Sequence, residues 1–182
     1  MPVALHPLIV VTGLPGSGKT TLGRSLAEEL GLPSLDKDDI LETLFDHVGV
    51  ASPDDRGRLS RASDAVMESL AGSSTGAVLS SHWRREELST VSGTPTAWLR
   101  DRPAGTVVEV YCDCPPALAA QRFAQRTRHP GHGDGDRTAE DLRAQFEPLA
   151  ALGPWQIGAL VRVDTTRPVD AAAVAHVVRG LP

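Results

Sequence analysis

GLPGSGKTTLG, residues 13–23, follows directly on the apolar run Leu8 to Val11. Gly13, Gly18, Lys19 and Thr20 stand at the spacing of a phosphate-binding loop, G-x-x-x-x-G-K-[ST]. Such a loop wraps a polyphosphate with backbone N–H groups, and a Cβ at Gly16 or Gly18 is expected to obstruct that approach. Lys19 is expected to reach the β- and γ-phosphates and Thr20 to offer its hydroxyl to Mg²⁺, while the helix starting near Lys19 turns its positive end to the anion. Gly13, Leu14, Pro15, Gly16, Ser17, Gly18, Lys19, Thr20 and Thr21 together form the expected nucleotide-binding segment.

Outward from this loop, apolar runs alternate with helix-period segments, the pattern of a parallel sheet covered by helices on both faces. Strands are expected at Leu8 to Thr12, Pro33 to Asp36, Ala77 to Ser80, Val107 to Cys112 and Leu160 to Val163. Helices are expected at Lys19 to Leu30, Asp39 to Asp46, Asp54 to Ala71, Arg84 to Ser89, Pro116 to Arg128, Ala139 to Leu149 and Asp170 to Arg179. Gly31 suits the end of the first and Pro116 the first turn of the fifth. Thr138 suits the N-cap of the sixth, with Asp141 three residues on.

The chain of 182 residues suits one domain, and 41% hydrophobic with 23% charged residues is ordinary for a globular protein. A net charge of −5 supplies no overall positive field, so a long nucleic acid is not an expected partner. The start MPVALHPLIVVTG carries no basic segment ahead of its short apolar run, and no stretch approaches the roughly 18 apolar residues of a membrane span. A cytoplasmic protein is expected. Cys112 and Cys114, C-x-C without a second pair, read as reduced thiols rather than a zinc site.

In a parallel sheet, ligands collect at the carboxyl ends of the strands. LDKDDIL, residues 35–41, places Asp36, Asp38 and Asp39 past strand two. A helix cap accounts for one carboxylate, not three, and Asp38 is expected to orient an acceptor hydroxyl and take its proton, with Asp36 beside Thr20 on the metal side. LSSHWRRE, residues 79–86, has no carboxylate until Glu86, although a second metal element commonly places one at the strand end. There His82, Trp83 and Arg84 are expected in an acceptor pocket, with Ser80 and Ser81 free to hold a metal-bound water. Arg122 and Arg126, four apart, are expected on one helix face leading into the lid segment RHPGHGDGDR, residues 128–137, where arginine forks suit phosphoryl oxygens. VDTTRPVD, residues 163–170, is expected to close over the purine through Thr165 and Arg167.

Taken together, GLPGSGKTT, DKDDI and CPPALAAQRFAQR resemble the small P-loop kinases of the group that includes chloramphenicol phosphotransferase, phage polynucleotide kinase, zeta toxins and, more distantly, gluconate and shikimate kinases. The resemblance runs nearly end to end. It implies an α/β P-loop NTPase fold with five parallel strands in the order 2-3-1-4-5, one domain over residues 1–182 with a lid at about 122–137, ATP as donor, and Mg²⁺. It places the catalytic aspartate on Asp38 and the lid arginines on Arg122 and Arg126, acting with Lys19. Relatives commonly carry an aspartate about where Ser81 stands, so the strand-three tip departs from the pattern. The implied activity is transfer of the γ-phosphoryl of ATP to a hydroxyl of a small-molecule acceptor such as an antibiotic, nucleoside or sugar. Two alternatives stay open: a 5′-hydroxyl polynucleotide kinase, suggested by the lid spacing and Arg56, Arg58 and Arg61, and a nucleotide-binding switch without transferase activity.

Overall fold

Residues 7–88, 93–133 and 137–181 are described by the computed structural model. The first strand, β1 (Leu8–Gly13), is buried throughout, as a β-branched run in the middle of a two-sided sheet must be. Around it lie β2 (Ser34–Asp36), β3 (Ala77–Ser80), β4 (Val107–Asp113) and β5 (Ala159–Asp164), in the order β2-β3-β1-β4-β5 with every pairing parallel. That is the expected order. It puts the ends of β1, β2 and β3 side by side, with Asp36 in register with Ser80 and Ser80 with Val11.

Side chains alternate across the sheet and feed two cores. Ile9, Val11, Val108 and Val110 pack under α1 (Lys19–Leu30) and α7 (Ala171–Arg179) through Leu22, Leu26, Val174 and Val178. Leu8, Val10, Leu79 and Tyr111 face the other way, with Met67 of α3 (Pro53–Ser73), Trp83, Trp155 and Leu99 of α4 (Ala97–Arg100). A third cluster joins α5 (Pro116–Gln125) to α6 (Ala139–Ala151) through Ala119, Ala120, Leu142 and Phe146. Thr138 caps α6 in a reciprocal capping box with Asp141, as its sequence anticipates. The remaining long helix, α2 (Lys37–Val48), packs against α3 through Leu41, Phe45 and Leu59.

The structure corrects the sequence at three places. Arg84 to Leu88, the described part of an expected helix, forms no helix; residue 89 lies outside the described residues. Arg85 is instead drawn inward, donating to the Gly153 and Pro154 carbonyls with its guanidinium over the Trp155 ring, and Trp83 pairs with Thr94 as an isolated bridge. α4 is too short to have shown a period. Finally, α5 stops at Gln125 rather than Arg128, so Arg126 is already extended, at φ −82° and ψ 141°.

Candidate active site

The loop from Gly13 to Gly18 folds as the motif requires, but its glycines act differently from one another. Gly18 is at φ 94°, a left-handed conformation that a residue with a Cβ rarely adopts, and a Cβ there would meet nothing within 4 Å. A Cβ at Gly16 would lie 2.2 Å from the Ala119 carbonyl oxygen, so Gly16 makes room for α5. Lys19 is buried and donates from Nζ to the carbonyls of Gly13 (3.1 Å) and Leu14 (2.7 Å). Burial pulls its pKa down to about 8, with the Arg126 charge adding to the effect and Asp38 and Asp36 opposing it. Lys19, Asp36, Asp38 and Arg126 therefore share one electrostatic neighbourhood.

That value has a measurable consequence. A polyphosphate beside the ammonium raises its pKa, so binding takes up a proton wherever the free site has lost one. Nucleotide affinity should be level below about pH 8 and weaken above it, by up to about tenfold per pH unit. Titration calorimetry with ADP between pH 7 and 9.5 checks this; constant affinity across the range would contradict it.

Asp36, rather than Asp38, caps α2: its side chain accepts from the Asp38 backbone N–H at 2.9 Å. Burial pushes the Asp36 carboxyl pKa up, against the Thr20 hydroxyl and that amide. Its other oxygen, Oδ2, is buried with no hydrogen-bond partner, a costly state for a carboxylate. A hard cation next to Thr20 and Asp36 would relieve it. Among the described residues no group of three His, Cys, Asp or Glu could hold a metal alone, and Mg²⁺ suits this sparse donor set because it usually binds through one or two carboxylates plus waters and substrate phosphates.

Asp38 meets the segment that follows α5. Arg128 donates to Asp38 Oδ2 at 2.8 Å and lies 3.0 Å from His132 Nδ1. An arginine only donates, so Nδ1 is the accepting nitrogen and the proton sits on Nε2, which donates to Glu42 Oε1 at 2.8 Å. His129 follows the same logic: Nδ1 accepts from the Gly131 N–H and Nε2 donates to Asp46 Oδ1. Phe45 stands between the two imidazoles, at 5.4 Å and 5.5 Å, and Gly131 sits so close to that ring that a Cβ would come within 2.5 Å of it. Residues 128–133 are thus seated on α2 before any ligand is considered; residues 134–136 of the expected lid lie outside the described residues. Partial burial raises the Asp38 pKa, but the Arg128 guanidinium bonded to it and the Arg126 charge outweigh that and hold the carboxyl below its usual range.

The expected arginines separate. Arg122 donates to the Thr165 and Thr166 carbonyls at 2.8 and 3.2 Å, fixing the loop between β5 and α7. Thr165 is buried and Arg167 exposed, both in that loop. Arg126 lies 4.2 Å over the Phe123 ring, which Arg128 and Arg137 also approach, at 5.7 and 5.5 Å. Sequence reasoning missed Arg128 as the partner of Asp38 and the approach of Arg137 to Phe123. The available signal was the match between two histidines three apart in RHPGH and two acids four apart, Glu42 and Asp46, on one helix face.

At the β3 tip the expectation divides. His82 is half-buried, its pKa pushed down to about 4 by burial and by Lys19, so the imidazole is neutral at pH 7. Trp83 does not line a pocket: it is a core residue, 1% exposed, and its indole N–H donates to the Val11 carbonyl at 2.9 Å. Arg84 is exposed, with its carbonyl accepting from the Trp155 indole. Cys112 and Cys114 are free and buried, and burial pushes the Cys112 thiol up to about 12, so neither is a reactive thiolate.

Residues 8–149 match the family model described as an AAA domain. Over 181 residues the chain is 32% identical to shikimate kinase of Mycobacterium avium (strain 104), covering 98% of this chain and 95% of that protein. Its fold is similar to that of a candidate kinase from Chloroflexus aurantiacus, with TM-score 0.77, 28% identity and coverage of 98% and 99% of the two chains. A gluconokinase from Sinorhizobium meliloti shares the fold at TM-score 0.55 and 22% identity, over 97% of this chain and 91% of that one. Among the described residues no helix is long and apolar enough to cross a membrane.

Proposed function

The chain belongs to the P-loop kinases of the AAA-domain family, and on that premise we propose that it moves the γ-phosphoryl of ATP to a hydroxyl of a small molecule such as an antibiotic, a nucleoside or a sugar. The observation that carries this is Lys19 held in the phosphate loop by the Gly13 and Leu14 carbonyls, with Asp36 accepting from the Asp38 N–H at the head of α2 and Arg128 donating to Asp38. Gly13 to Thr21 cradle the donor phosphates, and the loop fixed by Arg122, with Thr165 and Arg167, borders the base. Thr20 and Asp36 would hold Mg²⁺, which supplies positive charge to the phosphate oxygens. Asp38 orients the acceptor hydroxyl through the oxygen that Arg128 leaves uncovered and takes its proton; Arg126 and Arg128 bring charge to the group in flight. His82, neutral, offers the acceptor one hydrogen bond. The whole chain, residues 1–182, acts as one kinase domain with its lid at about 122–137, working in the cytoplasm where ATP is available.

A screen with labelled ATP tests the reading. Its acceptors are antibiotics, nucleosides, sugars, shikimate, gluconate and short RNA with a 5′-hydroxyl. Label transfer to a small hydroxylic compound is the expected result. Transfer to RNA alone, or slow ATP hydrolysis that no acceptor changes, would replace it by one of the two alternatives.

A further inference from the structure

The β3 tip lacks a carboxylate, yet one reaches it from α3. Thr94 Oγ1 donates to Asp64 Oδ1 at 2.7 Å, and a carboxylate only accepts, so the single hydroxyl proton of Thr94 is committed. Ser81 Oγ is bonded to that same Thr94 oxygen. Ser81 must therefore be the donor in this second bond, and its remaining capacity is lone pairs only. Both hydroxyls are buried, Ser81 at 6% and Thr94 at 1% exposure, so solvent does not compete. Ser81 follows Ser80, the residue in register with Asp36 and Val11.

The same Asp64 oxygen holds a second line. Lys37 Nζ meets it at 2.7 Å and also donates to Ser60 Oγ at 3.1 Å, and Lys37, itself buried, stands in the chain between Asp36 and Asp38. One carboxylate thus anchors the tips of both β2 and β3.

We propose that Asp64 is a positioning residue for phosphoryl transfer: through Thr94 it keeps Ser81 an acceptor-only hydroxyl, and through Lys37 it fixes the Asp36–Asp38 pair. An acceptor-only oxygen is what a water on a cation needs, because such water presents only its protons. Ser81 thereby serves in neutral form where a carboxylate is absent. This rests on the kinase reading above, and the experiment separates the two.

The measurement is the Mg²⁺ concentration giving half-maximal tightening of ADP binding, read by titration calorimetry alongside ADP affinity in EDTA and the thermal melt. Thr94→Val fills the same volume without a relay, and should raise the half-maximal Mg²⁺ about tenfold, in the range of lost outer-shell partners, while ADP affinity in EDTA stays within about twofold. Ser81→Ala should do the same, and the double variant should be no worse than either single one, because both cut one chain. Thr94→Ser keeps the hydroxyl and should match the native protein. Asp64→Asn still accepts from Thr94 and should fall between. An unchanged Mg²⁺ requirement in a folded Thr94→Val or Ser81→Ala protein, additive losses in the double variant, or a Thr94→Ser protein as impaired as Thr94→Val would overturn the proposal while leaving the kinase reading intact. A native protein that does not bind ADP, or whose binding ignores Mg²⁺, would overturn both.

Discussion

Lys19→Ala is expected to lower phosphoryl transfer on the order of a thousandfold, the loss typical of removing a preorganised charge contact to a transition state. The ammonium already sits inside the loop, held by the Gly13 and Leu14 carbonyls, so the donor gains it without reorganisation. Its burial makes it a poor contributor to stability, and the melt of the variant should stay near that of the native protein. Single-turnover transfer together with differential scanning calorimetry checks both statements. Transfer within tenfold of native would mean that the loop does not meet the donor as described.

Asp38→Asn should leave ADP binding in place and cut turnover by about a hundredfold or more, as expected for a positioned general base. An asparagine keeps the shape and can still accept from Arg128, but it cannot take the acceptor proton. Asp36→Asn makes the contrast, since its carboxylate caps α2 and leaves Oδ2 for a cation: its loss should show first as a higher Mg²⁺ requirement. If Asp36→Asn abolishes transfer at saturating Mg²⁺ while Asp38→Asn is mild, the two roles are exchanged.

What could be read from the chain follows from the range of the forces involved. The phosphate loop is specified by residues that touch one another along the sequence, so glycine, lysine and threonine at fixed spacing sufficed. β1, β3, β4 and β5 were legible from β-branched residues bounded by turns, whereas the short β2, Ser34–Asp36, carries none. WRREEL has the composition of a helix, and only Gly153 and Pro154, nearly 70 residues away, explain why Arg85 turns in instead. The lid arginines show the same limit. Four-residue spacing put Arg122 and Arg126 on one face, but α5 ends between them, and the guanidinium that meets Asp38 belongs to Arg128, with a sequence separation of 90. Likewise nothing local to α3 marks Asp64, whose partners Thr94 and Lys37 lie 30 and 27 residues away in sequence.

Gly16 leaves no slack between the phosphate loop and α5, the helix that runs out into Arg126 and Arg128. A side chain at position 16 would have to push on the α5 backbone, and through it on the stretch of chain that carries the guanidinium lying on Asp38. One missing Cβ thus sets how near these two parts of the candidate site can lie.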